Sequence, residues 1–480
     1  MEKPFKTLII REIQGAIIDF RFWVVLVLCL SVIPLSFYVS VKNYSQKLSD
    51  YQQEVQSYRD NNSSVYATFK AEGVRPPSPL SIFSRGLEDK MPYKVITSRD
   101  GNYQIEYAKP DSKKDLLGEI DFAFIVAFVL SILAIVFTFS SISGDKESGV
   151  LRGILSNAVL RRQILMAKLL GNYIVFLVPF ILSMLIALLV VYFSGIIPIF
   201  SKSLFPSVLV ITGISLIFLL ALFNLGLWIS SLARNSILSV NVLILIWILL
   251  GLVIPKISPI IGSVIYPVES TGVFEAKKML LRTNSEKEQI KEEEDIYENL
   301  RMQYYPETNG VSSAWNDINS AYDEQVAPIR EKYEQRLNSE IEKLINDYTL
   351  RKNKQNKISE NIARLSPINS LNNLIAEFSY TGYSEADNFL QQAKDYQAAV
   401  KQEVYDKISL KIYRAKGSTS SNSSYNEDFD YSKIPVLENY KNVDLSKVFQ
   451  QNWVDIMLLC LYGLLFFVCA FISFLRFDVR

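Results

Sequence analysis

Six long apolar stretches punctuate the chain, at about residues 22–41, 120–140, 173–193, 204–229, 237–254 and 454–475. A helix needs roughly 20 apolar residues to cross a bilayer, so each stretch is read as a transmembrane helix. Residues 42–119 and 255–453 are polar insertions between spans, and in them the apolar positions recur with other periods. Val95 and Thr97 alternate against Tyr103, Ile105 and Tyr107 around Asp100-Gly101, which predicts a β-hairpin. Before it, residues 43–70 are helix-compatible and stop at Arg75-Pro76-Pro77-Ser78-Pro79. Tyr322, Val326, Ile329, Tyr333, Leu337, Ile341, Leu344 and Tyr348 recur every three or four residues, the stripe of an amphipathic helix with Pro328 expected in its first turn. A second stripe, Ala386, Phe389, Ala393, Tyr396, Val400, Val404 and Ile408, follows the capping-box-like start Ser384-Glu385-Ala386-Asp387 and ends at Gly417. Residues 418–431, rich in Ser, Asn and acidic groups, read as a loop. The expected fold class is an all-helical membrane domain of six spans, with a small α+β insertion and a larger, mainly helical one.

Charge sets the orientation. Lys3, Lys6, Arg11 and Arg21 precede the first span, and Lys146, Arg152, Arg161, Arg162 and Lys168 follow the second. Arg234 follows the fourth, and Arg476 and Arg480 follow the sixth. All fall on one face, which the positive-inside rule makes cytoplasmic, with both chain ends on that side and the insertions outside. No span carries Asp, Glu, Lys or Arg near its middle; Asp19, Arg21, Asp121 and Asp455 lie at ends. Ion-coupled carriers usually need such intramembrane charges, which argues against a proton-relaying pump. Asn224 and Asn241 inside spans read as interhelical hydrogen-bonding groups before substrate ligands.

Composition removes several functions. Lys plus Arg numbers 50 and Asp plus Glu 49, so no basic field favours nucleic acid. There is no histidine, which excludes imidazole-based catalysis and imidazole metal ligands. The three cysteines, Cys29, Cys460 and Cys469, sit in apolar runs, so the aqueous parts hold no disulfide. The charge-rich stretch 285–298 reads as a solvated helix face. Gly144 to Gly149 has the spacing of two P-loop glycines, but Val150-Leu151 stands where Lys and Ser/Thr must hold phosphate and magnesium. No catalytic, cofactor-binding or metal-binding residue is assigned to this chain.

The stretch Ser143-Gly-Asp-Lys-Glu-Ser-Gly-Val-Leu-Arg-Gly-Ile-Leu-Ser-Asn-Ala-Val-Leu-Arg-Arg-Gln-Ile-Leu-Met-Ala-Lys-Leu-Leu-Gly171 closely resembles the loop between the second and third spans of ABC-2 type permeases. Glu147, Gly149, Leu151, Ser156, Arg161 or Arg162, and Lys168 match that loop's pattern, with Ala158 in place of its usual proline. The resemblance implies that residues 141–172 form a segment coupled to a separate cytosolic ATPase. Within it, Glu147, Gly149, Val150, Leu151, Ile154, Leu155, Arg161, Arg162 and Lys168 would carry the contact. It also implies that residues 1–21 are an interfacial elbow helix with Arg11 and Glu12 on its polar side, and that 255–267 is a re-entrant segment. Arg75 to Leu87 and Leu365 to Leu371, with Phe389 and Tyr396, are similar to a subgroup with large extracytoplasmic insertions. The expected partners are ABC ATPase subunits, which would bind ATP and magnesium, a second permease, identical or paralogous, and membrane lipid. Extracytoplasmic proteins could meet the insertions. The expected function is export across a bacterial inner membrane. The alternative is mechanotransmission, in which the ATPase moves the outer domains and nothing crosses the bilayer.

Overall fold

The computed structural model describes residues 2–62, 70–98, 103–108, 120–156, 160–304, 312–400, 402, 437 and 440–476. Six helices among them are long and apolar enough to span a membrane: Phe20–Tyr58, Phe122–Glu147, Arg161–Ser194, Phe205–Leu232, Ser236–Ile265 and Leu445–Leu475. The expected hairpin turn at Asp100-Gly101, the stripe positions Val404 and Ile408, Gly417, Ala158 and residues 418–431 lie outside the described residues.

The chain divides into two compact units. The first comprises Met1–Val253 with Arg364–Arg480. Its elements begin with α1 (Glu2–Ile18) and α2 (Phe20–Asn62), then β1 (Lys70–Val74), β2 (Pro92–Ser98) and β3 (Tyr103–Tyr107). The second span is built from α3 (Phe122–Phe124), a π-helical turn Ile125–Leu130 and α4 (Ser131–Thr138). Two short helices follow, α5 (Ser143–Glu147) and α6 (Val150–Leu155), before the long spans α7 (Arg161–Ser194), α8 (Phe205–Leu232) and α9 (Ser236–Ile248). Helix starts follow side-chain chemistry: Asp121 accepts a hydrogen bond from the Phe124 amide at 2.8 Å and Asn235 from that of Leu238 at 2.9 Å. Gly195, at φ 67°, ends α7 in the left-handed conformation that glycine adopts without strain.

The spans pack through rings and close backbone approaches. Phe37, Phe83 and Phe122 meet edge to face with centroids 5.0–5.7 Å apart. Gly226 of α8 faces Thr138 of α4, and an added Cβ there would lie 1.9 Å from Thr138 Oγ1. The Asn224 amide donates to the Gly463 carbonyl at 3.0 Å, an interhelical bond of the kind its position suggested.

The second unit, Ile254–Ala363, holds α10 (Ile254–Ile265), α11 (Thr271–Tyr304) and α12 (Ser312–Ala363). Helices α11 and α12 run antiparallel: Phe274 stacks on Tyr348 at 4.2 Å, Arg336 pairs with Glu288 at 3.3 Å, and Arg330 with Glu293 at 2.8 Å. The stripe predicted from Tyr322 to Tyr348 is the covered side of α12. Pro328 lies in the helix interior and not in its first turn, because α12 begins at Ser312. An interior proline costs about 3 kcal/mol, and the buried Val326 and half-buried Ile329 and Tyr333 around it keep the helix packed through the gap. The stretch 255–267 is helical to Ile265 and belongs to the apolar helix Ser236–Ile265, beyond its π-helical turn at Leu249–Val253.

The first unit is completed by α13 (Pro367–Phe378), α14 (Tyr383–Val400) and α15 (Leu445–Leu475). The three strands form one antiparallel sheet in the order β1-β2-β3, pairing Gly73 with Val95 and Thr97 with Tyr103. Helix α14 covers this sheet: Ala71 and Val95 are buried with Phe389, Ala393, Tyr396 and Val400. The two insertions therefore share one small core. Helix α14 is not opened by Ser384; it begins at Tyr383, and the Glu377 carboxylate accepts from the Tyr383 amide at 2.8 Å and the Ser384 amide at 3.3 Å. Glu385, only 2% exposed, accepts from Tyr440 Oη and from the Val443 amide, and burial pushes its carboxyl above the usual range. The proline-rich break is stitched to the second insertion as well, with Ser78 Oγ donating to the Ser379 carbonyl at 2.7 Å and Thr381 Oγ1 to that of Ser84 at 3.0 Å.

Candidate functional site

The residues that the coupling-loop resemblance singles out gather at one end of the first unit, where α1, α5, α6 and the start of α7 meet the ends of the spans. Gly149 makes the geometry possible. At φ 75° it separates α5 from α6, a conformation in which a side chain would be strained.

Two neighbouring charges on α5 tie the loop to the turn between the fourth and fifth spans. Lys146 Nζ donates to the Ser231 carbonyl and, at 3.1 Å, to the Ala233 carbonyl, at the C-terminal end of α8. Glu147 accepts from the Ser236 amide at 3.2 Å and from Ser236 Oγ at 3.1 Å, at the N-terminal end of α9. Each charge thus sits on the helix end of opposite partial charge. The Glu147 carboxylate caps a distant span and not the start of its own segment. Ser230 Oγ accepts from the amides of Ile142 and Ser143, both at 3.0 Å, and fixes the entry to α5.

A second set of contacts ties the loop to the elbow helix. Lys168 is 4% exposed and its ammonium bridges Asp145 at 2.6 Å and Glu12 at 3.3 Å. Helices α1 and α7 approach closely here, since a Cβ on Gly171 would fall 2.7 Å from Glu12 Cβ. Arg21 donates to Ser140 Oγ at 2.7 Å and lies over the Phe139 ring. A cavity of about 260 Å³ opens between these elements, lined among others by Arg11, Glu12, Arg21, Asp145 and Lys168.

The apolar residues of α6 divide. Leu151 is 1% exposed and belongs to the main core, with Ile154 and Leu155 half-buried against it, whereas Val150 is 39% exposed. Arg11, Arg152 and Arg162 are exposed, and Arg161 donates to the Leu475 carbonyl at the end of α15 at 2.7 Å. Asp145, Ser230 and Ser236 went unread in the sequence, and Lys146 was read only as an orienting charge, because their partners are remote in the chain, although Asn235 before an apolar run was a readable helix start. Among the described residues no group of three or more Cys, Asp or Glu is placed to hold a metal ion.

Six helices long and apolar enough to span a membrane, with a polar loop pinned to two of them and to α1, define a multi-pass membrane protein. The chain belongs to the ABC-2 transporters: the family model described as "ABC-2 family transporter protein" matches residues 7–479. It is thus an ABC transporter permease, a membrane transport component and not itself the catalyst. Comparison with curated proteins gives no match.

Proposed function

We propose that this permease is an exporter, driven by separate cytosolic ATPase subunits that bind ATP and magnesium and engage the loop at α5 and α6. Two permeases, identical or paralogous, would pair in a bacterial inner membrane with both chain ends cytoplasmic. The observation that carries this reading is the three-way anchoring of one loop. Lys146 and Glu147 fasten it to the fourth and fifth spans and Lys168 fastens it to the elbow helix, so a displacement delivered at α6 reaches all of them together. The surface available to an ATPase is the exposed side of α6, Val150 and Arg152, with the exposed Arg162 beside it. Leu151 supports this surface from within.

Co-purification of the ATPase with full-length Val150→Asp tests the contact, with Gln163→Ala as the control. An unpaired carboxylate in a protein interface should weaken association by about tenfold or more, while membrane insertion stays normal. Undiminished binding and undiminished transport by Val150→Asp would overturn the reading.

The length of the α11–α12 pair, 34 and 52 residues, supports mechanotransmission as a second reading. ATP-dependent change in probe distances along that hairpin, in vesicles where no molecule crosses the bilayer, would favour it over export.

A further inference from the structure

The surface of the second unit is layered in the way a bilayer is. Helix α10 turns its small residues, Ser258 and Gly262, toward α12, where a Cβ on Gly262 would fall 2.0 Å from Ser359 Oγ. Its bulky residues face outward: Ile257 is 42% exposed, Ile260 62%, Val264 76% and Ile265 59%. That arrangement is inverted for a helix in water and ordinary for one in lipid, where small residues make the helix contact. The span that α10 completes, Ser236–Ile265, has 30 residues. At 1.5 Å per residue it reaches about 45 Å, against a hydrocarbon core of about 30 Å. A helix of that length carries its Ile265 end to headgroup level.

Basic residues stand at that level. Gln355, 5% exposed, donates to the Tyr266 carbonyl at 2.9 Å and so fixes the height of α12 beside the end of α10. Around it α12 reads Arg351-Lys352-Asn353-Lys354-Gln355-Asn356-Lys357, and all four basic residues are exposed. The carboxylates at this height are already engaged: Asp347 pairs with Arg351 at 3.0 Å and Glu269 with Lys277 at 2.6 Å. Among the described residues no carboxylate forms a salt bridge with Lys352, Lys354 or Lys357; Lys352 donates to Gln355 Oε1. Along the α10–α12 pair the apolar side chains give way to Lys357 and Tyr266 and then to Lys354 and Lys352, the order of acyl chain, interface and phosphate.

We infer that Lys352, Lys354 and Lys357, at the Tyr266 end of the apolar face of α10, form a binding site for anionic phospholipid headgroups. Lysine ammonium groups serve as point charges for the phosphate oxygens, and the isoleucines of α10 accept the acyl chains. The site ties the base of the long hairpin to the bilayer surface.

The test is retention of phosphatidylglycerol against phosphatidylcholine by the purified full-length chain, read by native mass spectrometry. The wild-type chain is set against the triple variant Lys352→Gln, Lys354→Gln, Lys357→Gln. A control triple, Lys287→Gln, Lys291→Gln, Lys343→Gln, removes equal charge farther along the hairpin. The first variant should lower the phosphatidylglycerol-to-phosphatidylcholine ratio by roughly tenfold, and the control should leave it unchanged. Because glutamine keeps helix propensity and the sites are exposed, helical content by circular dichroism should match wild type. Equal ratios in all three chains, or the same fall in the control, would overturn the proposal. So would an unchanged ratio accompanied by loss of a co-purifying protein, since the lysines would then serve a protein contact.

Discussion

Two regions of this permease use the same kinds of charged side chain under opposite conditions. At the loop end of the first unit, Lys168 is almost wholly buried between Asp145 and Glu12. In the α11–α12 hairpin, Arg330 pairs with Glu293 at 2.8 Å with its own side chain 53% exposed. The distances are alike, but the solvent is not. Removing the buried ammonium leaves two partly buried carboxylates, 22% and 25% exposed, without their shared counter-charge, whereas an exposed pair exchanges one hydration shell for another. The loop is thus where charge makes a rigid joint, and the hairpin is where charge keeps a long helix pair soluble and in register.

The sharpest way to break the comparison is Lys168→Met. It leaves two carboxylates facing one another in the joint and should cost about 3–5 kcal/mol, read as a lower unfolding midpoint of the full chain in detergent. Adding Asp145→Asn and Glu12→Gln should restore much of the loss. A change no larger than that of an exposed lysine would mean that water reaches the cluster.

A smaller effect should follow from Gly226→Ala, which drives a methyl group into Thr138 and forces α8 from α4 at an expected cost of about 1–3 kcal/mol. Thr138→Gly in the same chain should recover most of it, since the space is then vacated. Failure of that rescue would show that the close approach is not what Gly226 provides.

The smallest effect belongs to the hairpin. The hydrogen bonds from Arg330 to Glu293 hold its carboxyl at about 2, below its ordinary 4.5. A depressed carboxylate contributes stability that is fully present above the unfolded value and lost as pH falls through the folded one. Protection of α11 and α12 amides in hydrogen exchange should therefore be level from neutral pH to about 4.5 and decline toward 2. The Glu293→Gln chain should show a flatter decline, with a difference at neutral pH below about 1 kcal/mol because the arginine is exposed. An acid response unaltered by Glu293→Gln would assign the pH dependence to other carboxylates.

What could be read from the residues alone was whatever rests on local periodicity. The six spans declared themselves because a bilayer demands unbroken apolar length, and the covered side of α12 because its apolar residues recur every three or four positions. The pairing of Pro92–Ser98 with Tyr103–Tyr107 was legible for the same reason, its two strands being neighbours in sequence. The strand Lys70–Val74 was not, since its partner begins 18 residues on and its Glu72-Gly73 lacks an apolar alternation. Helix starts divide likewise. Asn235 caps the amide three residues ahead, while Glu377 serves Tyr383 and Ser384 across a turn that only packing closes.

At the loop, the resemblance to the ABC-2 permease pattern marked Glu147, Gly149, Leu151 and Lys168 as a group, but their contacts were decided by residues far away in the chain. Glu147 meets Ser236, Lys168 meets Glu12, and Leu151 is covered by the core, so only Val150 of the apolar pair at the start of α6 faces outward. Spacing along a helix says which side chains share a face. It cannot say which remote helix end or carboxylate arrives to meet them, because that depends on how the spans pack in three dimensions.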